Sequence, residues 1–148
     1  MNKITYILAI AFLVLPVPGL MSQAHLKVEI YNIRSNKGHL LLSVYNNSEQ
    51  FPRNPAPGLS DIQVSKRDMR KDTVNYFLDN LQPGKYVVAI LDDENGSGDM
   101  EYNQLGIPME GFGFSNNINP MFSTPPYHKC QFAIKEGMNS ISIKVRYR

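Results

Sequence analysis

Alternation of apolar and polar side chains governs most of this chain. In SISIKVRY (140–147), Ile141, Ile143, Val145 and Tyr147 share one parity, and Ser142, Lys144 and Arg146 take the other. Successive strand residues point to opposite faces, so this pattern predicts a half-buried strand. LKVEIYNI sets Leu26, Val28 and Ile30 against Lys27 and Glu29, and HLLLSVYN places Leu40, Leu42 and Val44 on a common side. DIQVSK and TVNYFL are shorter segments of the same kind. KYVVAILD (85–92) is apolar on both parities, as expected of a central strand covered on two sides. YHKCQFAIK (127–135) predicts one more strand, with Cys130, Phe132 and Ile134 opposite Lys129 and Gln131. No segment keeps a helical period.

The breaks between these runs carry turn chemistry. Pro83-Gly84 suits a type II turn leading into Lys85, and Gly137 with Asn139 predicts a hairpin between the last two strands. Pro52, Pro55, Pro57 and Gly58 mark a loop. About seven short strands with such punctuation predict an all-β fold. The expected form is an antiparallel β-sandwich, immunoglobulin-like or transthyretin-like. The exception is a stretch from Asp93 to Pro126, which lacks any sustained period. Loops that long are uncommon in compact domains unless they are functional or disordered. Ile107, Met109, Phe112, Phe114 and Phe122 argue against disorder, so something should hold the segment in place.

The first residues change the picture of where the protein resides. Lys3, an apolar run from Ile4 to Leu15, the breakers Pro16 and Pro18, and Ser22-Gln23-Ala24 follow the order of a secretory signal. The run is shorter than the roughly 20 residues a membrane-spanning helix needs. Residues 1–24 are therefore expected to be a signal peptide, with 25–148 a single exported domain, periplasmic or secreted. The formal net charge of +2 offers no basic stripe for nucleic acid. KRDMRKD (66–72), the one charge cluster, has mixed signs and reads as a solvated turn. The single Cys130 excludes an intrachain disulfide and reads as a buried small hydrophobe.

DDENGSGDMEYN (92–103) is the stretch with unusual chemistry. Asp93, Asn95 and Ser97 stand at alternate positions, Gly98 follows, and Asp99 could offer its carbonyl. That order resembles the front half of an EF-hand-type calcium loop, because a hard cation needs about 6–8 oxygens and a bent loop can aim alternate side chains at one centre. The usual last ligand is replaced by Gln104, so Glu101 or Glu110 would supply the missing carboxylate, and Glu94 has the opposite parity and should face water. The same residues also build hydrated Asx turns without any metal. In GIPMEGFGFSNN (106–117), Phe112 and Phe114 straddle Gly113, either packing the loop onto the sheet or offering an aromatic surface to a ligand.

Searches for other chemistry end quickly. His25, His39 and His128 share no zinc-ligand spacing. Ser115 lacks the G-x-S-x-G elbow of a hydrolase nucleophile. A small hydrolase or isomerase remains open if Asp93, Glu101 and Glu110 pair as acid and base around a concave pocket. The main expectation is a non-enzymatic module with a calcium-stabilised acidic loop, whose partner would be an envelope component or a polysaccharide.

Over Leu81–Asn117 the chain resembles a bacterial exported family catalogued as domain of unknown function 2141. The resemblance rests on Pro83, Gly84, Tyr86, Asp93, Glu94, Asn95, Gly96 and Gly98, and on Gly106, Ile107, Pro108, Glu110, Gly111, Gly113, Phe114, Ser115 and Asn116. Leu91, Asp99 and Glu101 depart from the residues usual at those places. The resemblance implies an exported β-sandwich and brings no activity with it.

Overall fold

The computed structural model describes residues 23–148 apart from 54, 57, 121 and 122. The expected signal segment thus lies outside the described residues up to position 22, while Ala24 is already buried and opens the first strand. Eight strands follow in order: β1 (Ala24–Tyr31), β2 (His39–Tyr45), β3 (Ile62–Ser65), β4 (Val74–Leu81), β5 (Gly84–Asp93), β6 (Gly111–Phe114), β7 (Phe132–Ile134) and β8 (Gly137–Lys144). One sheet has the order β4-β1-β8; the other runs β3-β2-β5-β6, with β7 also on β5. Among the described residues no helix is long and apolar enough to cross a membrane.

The parities read from the sequence place the core. Leu26, Val28 and Ile30 of β1 meet Leu40, Leu42 and Val44 of β2, Val88 and Ile90 of β5, and Ile143 of β8 between the sheets. Burying one such side chain contributes about 1.5–3 kcal/mol, so this layer is the main support of the fold. β5 is buried on its inner side at Val88 and Ile90, while on its outer side Val87 is buried and Ala89 and Leu91 are half-buried, so the cover expected from its doubly apolar pattern is complete at one end only.

Four expectations need correction. β1 and β8 pair in parallel along their whole length, while the other strand pairs are antiparallel. The turn at Gly137 (φ +81°) is a crossover and no hairpin: β7 belongs to the sheet of β5 and β8 to the sheet of β1. Asn139 holds this turn, accepting from the Lys135 amide at 3.0 Å and donating to the Lys135 carbonyl at 2.7 Å. The strand expected over 127–135 is cut short, because Tyr127–Cys130 forms one helical turn. Pro126 stands just ahead of it, where a missing N–H leaves no helical bond unmade.

The fourth correction is β6, a strand inside the segment expected to be irregular. Gly111 and Gly113 face the end of β8, and Phe112 and Phe114 face outward. A Cβ on Gly111 would lie 2.3 Å from Tyr147 Cε1, and one on Gly113 2.7 Å from the Lys144 carbonyl oxygen. Only glycine permits this approach, which lets Phe112 and Arg146 exchange backbone hydrogen bonds of 3.0 and 2.8 Å. β6 and β7 lie end to end on one edge of β5, covering Ala89–Asp92 and Gly84–Tyr86. Between them the Val88 amide donates to Ser115 Oγ at 3.1 Å, and that hydroxyl donates to the Cys130 carbonyl at 2.6 Å. A serine outside any strand thus completes the ladder.

Candidate functional site

The two outer faces of the sandwich differ. On the three-stranded sheet the rows read Asn75–Glu29–Ser142 and Phe77–Lys27–Ser140, a surface that is mainly polar, with Phe77 and, beside His25, Met138 as its exposed apolar side chains. On the other sheet the rows read Leu41–Leu91–Phe112, Ser43–Ala89–Phe114 and Tyr45–Val87. A solvated antiparallel sheet shows polar residues on its outer side, so this second face is composed for burial.

The described residues cover only one end of it. Tyr45, Val87 and Cys130 form a second buried cluster, with Phe51, Phe114, Ile118 and Tyr127 packed against it. The Phe51 ring stands edge-on to Tyr45 at 5.0 Å and to Tyr127 at 6.0 Å, and Tyr45 Oη donates to the Pro52 carbonyl at 2.8 Å. Burial lifts the Cys130 thiol to about 11, which keeps it protonated and unreactive. The helical turn places Cys130 here and leaves His128 exposed.

The other end is open among the described residues. A groove of about 870 Å³ lies over Leu41, Leu91, Ala89, Phe112 and Phe114. Its wall is a small hairpin from Glu101 to Met109, closed by Met109 N–H to Glu101 O at 2.9 Å and Asn103 N–H to Ile107 O at 3.0 Å. Asn103 Oδ1 accepts from both the Leu105 and Ile107 amides, and Gly106 takes φ +73° at the bend. Tyr102, Leu105 and Ile107 line the groove from this wall and are 60, 82 and 40% exposed. Polar groups also line it: Asp61, bound by the hydroxyls of Ser43 at 3.2 Å and Ser60 at 2.7 Å, Arg148, whose guanidinium lies 6.0 Å from the Phe112 ring centre, and Asp99, Ser123 and Thr124. Phe112 and Phe114 thus meet both sequence readings, since they pack the loop and also line a surface that a ligand can reach.

The acidic loop is held by hydrogen bonds of its own. Asp93 is buried, its Oδ1 accepting from the Gly96 and Ser97 amides at 2.8 and 3.0 Å and its Oδ2 from Gly98 at 3.0 Å. Asn95 accepts from the Ser97 amide at 2.9 Å and donates to Glu101 Oε2 at 2.8 Å. Ser97 Oγ donates to the Asp99 carbonyl at 3.0 Å, the oxygen that a calcium ion would have used. These bonds direct the donor set at backbone amides and at one another, the geometry of an Asx-rich turn. Among the described residues no three acidic, histidine or cysteine side chains meet as metal ligands. Glu110 is buried at the root of the loop, and neither of its oxygens has a hydrogen-bond partner. Burial and then the nearby Asp93 charge raise its pKa above the usual carboxylate value. Asp93, Glu101 and Glu110 lie outside the lining of the groove, so the cleft does not bring them together as acid and base.

Two of the charged residues read as solvated are paired. Glu94 accepts from Arg34 Nε at 3.1 Å and from Ser35 Oγ at 2.6 Å, and the Arg34 bond holds its carboxyl down at about 2. Lys66, from the charge cluster expected to be a solvated turn, is buried against Asp92. It also donates to the Lys37 carbonyl at 2.6 Å. Tyr147 Oη donates to the other Asp92 oxygen at 2.5 Å, in the space that Gly111 leaves free. The parity of Lys66, two residues beyond the buried Val64, was the available sign; its neighbours Arg67, Asp68 and Arg70 concealed it.

The fold and the open face define a two-sheet sandwich that presents an apolar groove under a hairpin wall. A family model described as an uncharacterized protein conserved in bacteria (DUF2141) matches residues 28–142. The chain belongs to that family, an assignment that covers the sandwich, the acidic loop and the groove. No curated protein and no solved structure matches it.

Proposed function

We infer that the protein is an exported, non-enzymatic binding module whose site is the groove on the outer face of β2, β5 and β6. The observation that carries this reading is the unequal cover of one apolar sheet face. Among the described residues, half of it is sealed by Phe51, Tyr127 and Ile118, and half is open over about 870 Å³. Small-molecule sites measure about 300–1,000 Å³ and are mainly apolar with a few placed polar groups, which describes this groove. An envelope component with an acyl or aromatic portion fits the Leu41–Leu91–Phe112 floor. A polysaccharide is the poorer fit, because the Leu41–Leu91–Phe112 row of the floor carries no hydrogen-bonding side chain. Export rests on the N-terminal order of charge, apolar run and small residues. The loop calcium has no part in this reading, because the loop donors are engaged with one another.

Titration with N-phenyl-1-naphthylamine, a neutral apolar fluorophore, tests the groove. Saturable binding is expected in the wild type, with a loss of at least about tenfold in affinity when Ala89→Arg places a charged chain on the floor. Unchanged binding in that variant, or binding of soluble oligosaccharides with none of the fluorophore, refutes the reading.

A further inference from the structure

We propose that Lys66 and Asp92 condense into an intramolecular amide, a covalent tie between the end of β3 and β5. Three observations meet at this pair. Both side chains are removed from water, at 1% and 0% exposure, with Lys66 Nζ in contact with Asp92 Oδ1. That oxygen nevertheless has no hydrogen-bond partner, so the two groups meet without hydrogen-bond geometry. The second carboxylate oxygen is held by Tyr147 Oη, a donor placed where charge would develop during attack at Cγ. The sheet fixes the partners: Val64 and Asp92 both register with Leu40 on opposite sides of β2, and Lys66 follows Val64 on the same parity. Two groups so held react as one molecule, with effective concentrations that reach about 10⁵ M or more.

The step needs no co-reactant. One proton passes from the Lys66 ammonium to the Asp92 carboxylate, leaving a neutral amine and an acid. The nitrogen lone pair attacks Cγ, a C–N bond forms, and the Tyr147 hydroxyl stabilises the resulting oxyanion. Collapse breaks one Cγ–O bond, and that oxygen departs as water with two of the three ammonium hydrogens. The third remains on the amide nitrogen. Burial, followed by the bond to Asp92, raises the Tyr147 pKa, so its hydroxyl keeps the proton it donates. With Cys130 as its single cysteine, the chain has no disulfide that could serve the same purpose.

Intact-mass measurement of the purified, denatured protein decides the matter. The expected mass is one water below that of the chain, after the N-terminus has been assigned by peptide mapping. Tryptic digestion should give a branched peptide joining Lys66 to Asp92, with no cleavage after Lys66. Lys66→Ala and Asp92→Ala should restore the full mass. Tyr147→Phe, which keeps the ring, should slow formation on the order of 100-fold, read as the linked fraction against time after refolding. A wild-type chain of full mass that trypsin cleaves after Lys66 overturns the proposal. A lost water that maps elsewhere, such as to Asp99, overturns it equally.

Discussion

Ser115→Ala tests the reading of how β5 is completed. The hydroxyl lies where β6 and β7 leave β5 unpaired, and Ser115, Val88 and Cys130 are all fully buried. Its removal leaves the Val88 N–H without an acceptor and the Cys130 carbonyl without its donor. A buried polar group left unsatisfied costs about 1–3 kcal/mol. The carbonyl can keep a partner on its second lone pair, so the expected total is about 2–4 kcal/mol. For a domain whose whole stability is on the order of 5–15 kcal/mol, that is a large part. With a urea m-value of about 2 kcal/mol/M, the midpoint should fall by roughly 1–2 M. Far-UV circular dichroism suits the measurement, since the chain has no tryptophan. Ser142→Ala removes an exposed hydroxyl and should stay within about 0.5 kcal/mol of wild type. If Ser115→Ala unfolds at the same urea concentration as Ser142→Ala, the hydroxyl does not bridge β5 to the Cys130 turn and the reasoning fails.

Further expectations concern charge and reactivity. Glu94 is bound by Arg34, and its carboxyl titrates near 2 when folded against 4.5 ordinarily. Its contribution is present above the ordinary value and is lost as pH falls through that interval. Because Arg34 is half exposed, the effect is on the order of 1 kcal/mol after screening, and Arg34→Ala should remove it from an acid-unfolding series. Glu110 has the opposite sign: its raised pKa means the charged form weakens the fold at neutral pH. Glu110→Gln should therefore raise stability by on the order of 1 kcal/mol at pH 7, with the gain fading below 4.5; a loss at pH 7 would contradict the unpartnered carboxylate. Cys130 should resist a thiol reagent at pH 8 until urea unfolds the chain, whereas prompt labelling would contradict its burial. Melting midpoints in millimolar calcium and in chelator should coincide if hydrogen bonds alone hold the acidic loop, and a rise with calcium would restore the metal reading.

The sequence by itself determined the layers. The parities of Leu26, Val28 and Ile30, of Leu40, Leu42 and Val44, and of Ile141, Ile143 and Val145 place the sandwich core, because burial acts on every second residue of a strand. It also marked β5 as apolar on both faces. Tertiary structure alone decided what covers it: a helical turn and Phe51 over one half, an open groove over the other. Strand β6 was hidden because glycine fills its inward positions, and the need for glycine comes from Tyr147 and the Lys144 carbonyl, far along the chain. Lys66 and Asp92 were hidden for a related reason. Lys66 sits beside charged neighbours that face water, Asp92 sits beside an Asp93 engaged by the amides of its own loop, and only the register across β2 brings the two together. Local pattern records which side of a strand is apolar; which distant group meets a buried charge, or fills the room beside a glycine, depends on contacts between segments that no local pattern contains.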